Sequence, residues 1–190
     1  VPGEHNVLNS LASVVIGLEM GLSFSKIQKG IEAFKGVRRR FEIKGCYNNI
    51  MVVDDYAHHP TEIKSTLKAS RGGWKKRIIA VFQPHLFSRT QAFFREFSDA
   101  LKEADVIIIT DIYPAREKPI PGITSELIYN ECKNSGKEQC YYIPDLDNVI
   151  KKLDEIVKEN DLVSSITEIF PSSNWMEREV FDMYGIEFKN

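Results

Sequence analysis

Three short runs of the chain are largely apolar: Ile50-Met51-Val52-Val53, Arg77-Ile78-Ile79-Ala80-Val81-Phe82 and Asp105-Val106-Ile107-Ile108-Ile109-Thr110. Runs of this length predict strands covered on both faces, as in a parallel sheet. Each empties into a polar stretch and then a helical pattern. After Val53 the apolar positions Ile63 and Leu67 recur at helical spacing up to about Ser70, where Gly72-Gly73 break the pattern. After Phe82 a helix is predicted with Phe93, Phe94, Phe97, Ala100 and Leu101 facing inward. After Ile109, Thr124 or Ser125 caps a helix to about Asn134; Tyr141-Tyr142-Ile143 reads as a fourth strand, 147–158 as an amphipathic helix, and Leu162-Val163 as the start of another strand. Upstream, residues 4–20 form a helix with Val7, Leu8, Leu11, Ala12, Val15 and Leu18 on one face. Ser23 caps a second, carrying Ile27, Ile31 and Phe34 and ending at Gly36. Residues 41–47 alternate as an edge strand does, and Asn48-Asn49 turn it back into 50–53. Strands alternating with helices predict an α/β fold: a doubly wound, Rossmann-like, mainly parallel sheet with helices on both faces. Residues 173–185 add a short helical tail, dense in aromatic and charged residues.

Composition narrows the classes. With 43% hydrophobic residues, the 190-residue chain can bury the core of one α/β domain. A formal net charge of −2 gives no reason to expect nucleic-acid binding. No apolar run approaches the roughly 20 residues of a membrane span, so no membrane is expected. The three cysteines, Cys46, Cys132 and Cys140, are odd in number and lack metal-ligand spacing, which points to reduced thiols in a cytoplasmic protein. The chain opens Val1-Pro2-Gly3, without an initiator Met, and enters a helix almost at once, as a fragment of a longer protein would.

The chemistry gathers after the first buried strand, in Asp54-Asp55-Tyr56-Ala57-His58-His59-Pro60-Thr61-Glu62. Ligands of open α/β sheets sit beyond the carboxyl ends of strands. Two acids, a phenol and two imidazoles in six positions cannot all be core residues. All four histidines, His5, His58, His59 and His85, fall at helix starts or strand ends. Each alone is more often structural; together they suggest a shared cleft. The adjacent pair His58-His59 is poor metal-ligand geometry, and no metal site is assigned. Arg38-Arg39-Arg40 suits either a solvated turn or a phosphate. Arg89 sits at a helix start, where the dipole disfavours a cation, which hints at an anion nearby. Asp55 could take ribose hydroxyls. Neither a Gly-x-x-x-x-Gly-Lys-Ser/Thr loop nor a Gly-x-Gly-x-x-Gly loop is present, so any phosphate-cradling loop lies elsewhere.

Five motifs then fall in one order and spacing: Gly3-Glu4-His5-Asn6-Val7-Leu8-Asn9-Ser10, Arg39-Arg40-Phe41-Glu42, Asp54 to Glu62, Phe82-Gln83-Pro84-His85 with Ser88-Arg89-Thr90, and Asp111-Ile112-Tyr113-Pro114-Ala115-Arg116-Glu117. Over residues 1–163 the chain closely resembles the C-terminal domain of the Mur ligase family. Tyr56 and Glu62 favour its alanine-adding branch over the muropeptide-recycling one. The resemblance implies ATP-dependent amide formation through an acyl phosphate, with UDP-N-acetylmuramate and L-alanine as substrates and Mg2+ as cofactor. It implies Asn6, Arg40 and Asp55 as the ATP contacts, and Tyr56, His58, His85 and Arg89 near the amino acid and the muramyl end. His58 and Arg89 are the expected catalytic residues, with Arg89 on the alanine carboxylate. Leu86 stands where many relatives carry Arg. The resemblance also places the phosphate loop and the magnesium ligands in a central domain outside this chain. Residues 164–190, with Asn174-Trp175-Met176-Glu177-Arg178-Glu179 and Phe181-Asp182-Met183-Tyr184-Gly185, instead resemble a segment of the C subunit of respiratory NADH:quinone oxidoreductase. That implies two pieces joined near residue 163.

Overall fold

A computed structural model describes residues 3–157 and 162–166. The helical reading of the tail at 173–185 lies outside the described residues, as does the side chain of His5. The elements run α1 (Glu4–Glu19), α2 (Phe24–Ala33), β1 (Glu42–Tyr47), β2 (Ile50–Asp54), α3 (Pro60–Gly73), β3 (Ile78–Phe82), α4 (Phe87–Leu101), β4 (Val106–Ile109), α5 (Glu126–Asn134), β5 (Cys140–Tyr142), α6 (Leu146–Ile156) and β6 (Leu162–Ile166).

The six strands among the described residues form one sheet in the order β1-β2-β6-β3-β4-β5. β1 and β2 make an antiparallel hairpin; the remaining pairings are parallel. The hairpin turn is Asn48-Asn49, both at positive φ (45° and 61°), which lets two residues reverse a twisted ribbon. β6 is the central strand: Leu162 pairs with Met51 of β2 and with Ile78 of β3. The last of the described strands thus fills the gap that the β2–α3–β3 crossover leaves open.

Helices cover both faces, as the continuous apolar strands require. Ile63 and Leu67 of α3, Phe97 and Leu101 of α4 and Ile128 of α5 pack with Val53, Ala80, Phe82 and Ile107 on one side. On the other, Val149 and Leu153 of α6 meet Ile79, Val81, Val106 and Ile108. Cys132 and Cys140 are buried and Cys46 is exposed, all as free thiols. Ser23 and Ser125 stand at N-cap positions as the sequence suggests, but neither side chain makes the capping hydrogen bond. Among the described residues no helix is long and apolar enough to cross a membrane.

The α1–α2 pair departs from this economy. Leu8 and Val15 are 61% and 59% exposed, and Val7, Leu11, Leu18, Phe24 and Phe34 are exposed as well. Contact between the two helices centres on Gly17, where a Cβ would approach Ile27 to 2.8 Å. The apolar stripe predicted for residues 4–20 is real, but nothing in the described residues covers most of it.

Candidate active site

Because β2, β3 and β4 are parallel, their carboxyl ends and the loops that follow share one edge of the sheet. The first of these loops is built around Asp55. Its Oδ2 accepts the Phe41 amide and the Thr66 hydroxyl, each at 2.9 Å, and its Oδ1 accepts the Ala57 amide at 2.9 Å. One carboxylate thereby ties the start of β1, the loop and α3 together. Burial raises its pKa, against the opposing pull of those three donors. Burial likewise raises Asp54, opposed by Arg39, whose Nε lies 3.7 Å from Asp54 Oδ2.

The arginine triplet splits three ways. Arg38 is exposed, Arg40 lines a cavity, and Arg39 is locked in place. Arg39 holds a positive φ of 57°, donates its amide to Glu42 at 2.8 Å and accepts the Tyr56 amide at 2.7 Å. Its guanidinium lies 4.8 Å over the Tyr56 ring.

A row of rings continues from there. Tyr56 meets His58 edge-on at 4.8 Å, His58 and His85 are 6.1 Å apart, and His85 faces Tyr113 at 5.6 Å. Hydrogen-bond partners fix the proton positions. His58 Nδ1 lies 2.8 Å from the Tyr56 carbonyl, which can only accept, so Nδ1 carries a hydrogen. Arg89 Nη1 lies 3.4 Å from His85 Nδ1 and can only donate, so that nitrogen is bare. The neutral rings therefore hold opposite tautomers: His58 has a lone pair at Nε2, and His85 has a hydrogen there. Arg89 also reaches the His58 carbonyl at 3.5 Å.

His59 proves to be structural. Its Nδ1 accepts the Thr61 amide at 3.4 Å, and Glu62 Oε2 accepts the His59 amide at 3.1 Å and the His58 amide at 3.0 Å. This is a capping box for α3, with Pro60 in the first turn. On the third loop, Tyr113 joins the second by paired backbone bonds, Leu86 N to Tyr113 O at 3.0 Å and Tyr113 N to Pro84 O at 2.8 Å.

Beside the ring row lies a cavity of about 830 Å³, bounded by α1, α2, the 36–41 turn and the start of α3. Asn6, Arg40, Asp55 and Tyr56 all line it. The seven predicted site residues thus fall into two adjoining groups. Asn6, Arg40 and Asp55 share the cavity, His58, His85 and Arg89 share the cluster, and Tyr56 belongs to both. Asp55 is largely occupied internally, with one lone pair on Oδ1 left for a ligand. Sequence reading singled out neither Arg39 as an individual residue nor Tyr113 and Glu117. The signal for the latter pair was their place in the polar stretch after β4. A second, shallower depression of about 790 Å³, lined by Arg71, Lys75, Lys76, Arg77 and Lys137, lies at the amino-terminal edge of the sheet. Its cations are largely spent on backbone carbonyls. Among the described residues no three His, Cys, Asp or Glu side chains gather to hold a metal.

An antiparallel hairpin on a parallel sheet, with polar side chains gathered beyond the strand carboxyl ends, is an open α/β architecture of the class that binds ligands at that edge. Comparison with known proteins narrows it: the profile of the Mur ligase, glutamate ligase domain family matches residues 39–165, more than half of the chain. The chain belongs to the Mur ligase family. It is 49% identical over 166 residues to the UDP-N-acetylmuramate–L-alanine ligase of Geotalea daltonii, covering 87% of this chain and 36% of that protein. The corresponding ligase of Geobacter sulfurreducens is 43% identical over 182 residues, 95% of this chain and 39% of the relative. The solved UDP-N-acetylmuramate–alanine ligase of Thermotoga maritima superposes with a TM-score of 0.76 at 28% identity, covering 96% of this chain and 39% of that one. The chain therefore spans little more than a third of the length of the relatives it matches.

Proposed function

We propose that this chain is the C-terminal, nucleotide- and amino-acid-binding part of a ligase that joins L-alanine to UDP-N-acetylmuramate. One observation carries the reading. A cavity of nucleotide size, about 830 Å³, shares the Tyr56 wall with a cluster whose histidines and arginine suit an amino acid's two charged ends.

In this reading Asn6 contacts adenine, Arg40 a phosphate, and the open Oδ1 lone pair of Asp55 a ribose hydroxyl. ATP with Mg2+ supplies the phosphoryl group that activates the muramyl carboxylate. The loop and ligands for that group belong to the portion of the relatives that this chain does not match. Arg89 takes the carboxylate of L-alanine, for which a guanidinium is geometrically matched. His58 accepts a proton from the alanine ammonium at Nε2, the nitrogen its bond to Tyr56 leaves bare, and so frees the amine for attack. His85, with its hydrogen at Nε2, donates toward the developing oxyanion at the muramyl end. The protein supplies position, a proton acceptor and charge, and forms no covalent bond of its own.

ATP as co-substrate and three free thiols suit the cytoplasm. The uncovered α1 stripe supports a packing surface for the rest of a longer ligase. The ligase part is drawn as residues 1–163, and 164–190 as a joined segment, on the strength of its subunit-like motif. Two observations bear on that boundary: β6 carries the sheet through Ile166, and the Geobacter sulfurreducens match covers 95% of the chain, so it enters the tail. Sequencing the gene across codon 163 decides between one open frame and a junction.

The functional reading is tested by exchange. The matching segment of the Geotalea daltonii ligase is replaced by this chain, and ATP-dependent phosphate release is measured with UDP-N-acetylmuramate and L-alanine. Release that requires both substrates is expected. A folded hybrid that releases none would overturn the assignment.

A further inference from the structure

Helix α4, which presents Arg89, starts without a cap of its own. Its N-cap residue is Leu86, at φ 73° and ψ 135°, a conformation that side-chain-bearing residues rarely adopt and one whose apolar side chain can accept nothing. The first turn would leave amides unmet at the point from which Arg89 projects.

Those amides are met from the loop after β4. Glu117, 29 residues further on, accepts the Ser88 amide on Oε2 at 3.0 Å and the Ser88 hydroxyl on Oε1. The same carboxylate draws on the Phe87 amide and lies in the field of Arg89. The Ser88 hydroxyl, then its amide, hold the Glu117 carboxyl below the usual glutamate range. The paired backbone bonds between Tyr113 and residues 84 and 86 secure the other side of the same turn. The loop after β4 thus grips the start of α4 at two points, and Arg89 lies one residue beyond the second.

We propose that Glu117 is a positioning residue: by capping α4 from a distant loop it fixes the direction of the Arg89 guanidinium toward His85. The functional weight of this rests on the reading of Arg89 as the amino-acid contact, but the positioning itself is separable from it. A local cap such as Ser or Asp at position 86 would satisfy the same amides. It would not couple the helix to the loop carrying Tyr113, which faces His85. Delegating the cap to Glu117 adds a side-chain tie between the loop after β4 and the start of α4 to the backbone pair at Tyr113.

The test uses nitrogen-15 NMR on the 190-residue chain, following the Arg89 Nε–H signal and the His85 ring nitrogens. In Glu117→Ala the Arg89 signal should collapse to the position of a free arginine side chain. The His85 Nδ1 signal should lose the shift that a guanidinium donor imposes. Glu117→Gln, which keeps one acceptor oxygen, should fall between. Leu101→Ala, which loosens the far end of α4, should lower stability yet leave both signals in place. Unchanged signals in Glu117→Ala would overturn the proposal, as would an equal change in Leu101→Ala. Titration with L-alanine is a separate arm. If Glu117 variants move Arg89 but L-alanine moves neither Arg89 nor His58, positioning stands and the amino-acid reading of the site falls.

Discussion

Arg89 and His85 lie four residues apart on one strand-to-helix turn, with Arg89 Nη1 3.4 Å from His85 Nδ1. A guanidinium can only donate, so in the neutral ring of His85 the contact sets the remaining hydrogen at Nε2. His58 is set the opposite way by its bond to the Tyr56 carbonyl. The two rings, 6.1 Å apart, thus offer one proton acceptor and one donor in their neutral forms.

Replacing Arg89 should weaken amino-acid binding more than turnover. Hydrogen bonds to charged groups contribute about 1.5–3 kcal/mol, or roughly 10- to 100-fold in affinity. In the hybrid ligase, Arg89→Ala should raise the KM for L-alanine by that factor. Arg89→Lys should recover only part, since an ammonium cannot grip a carboxylate with a planar fork. An unchanged KM would remove Arg89 from the site.

Asp55→Ala should damage the fold more than any other single change near the site. It strands the Phe41 and Ala57 amides and the Thr66 hydroxyl. A loss of about 2–4 kcal/mol in urea unfolding is expected, part of the deficit being offset because a poorly solvated carboxylate is also removed.

Much of this was legible in the sequence, and the failures have a common cause. The strands read at 50–53, 77–82 and 105–110 fall within a residue of β2, β3 and β4 at each end, because a largely apolar run has few alternatives in a parallel sheet. The Asn48-Asn49 turn followed from local chemistry, whereas the grouping of Tyr56, His58, His85 and Arg89 came from the family resemblance, and the structure sets these side chains beside one another. The central place of β6 was not legible, since strand order depends on contacts more than a hundred residues apart and leaves no periodic trace. For the same reason Glu117 looked like one acid in a polar loop, and the capping role of His59, one of four histidines at loop edges, was not assigned. The α1 stripe was read as a helical face, but no pattern in 16 residues tells whether its partner is within the chain.

The buried pair of acids gives a pH signature. Burial raises Asp54, so its folded state favours the protonated form more than the unfolded chain does. Such a group contributes stability that is complete below the unfolded value and is lost as pH rises through the folded one. Measured against Asp54→Asn, which does not titrate, the chain should gain urea resistance as pH drops from 7 toward the usual aspartate range near 3.8. A flat difference would mean that Arg39 compensates the burial fully.

Leu8 and Val15 should tolerate charge. Both are already exposed, so Leu8→Lys with Val15→Lys should change unfolding free energy by no more than about 0.5 kcal/mol each. Light scattering should at the same time show less self-association. A large loss of stability would mean that α1 packs within this chain.

The central claim is that the cavity between α1, α2 and the α3 start is a nucleotide half-site. The most direct measurement is a titration of the nitrogen-15-labelled chain with ADP and magnesium, followed by amide NMR. Saturable shifts at Asn6, Arg40, Asp55 and Tyr56 are expected, with Lys75, Arg77 and Lys137 at the opposite edge unmoved. Shifts confined to that opposite edge, or a cavity that stays silent at millimolar ADP, would contradict it.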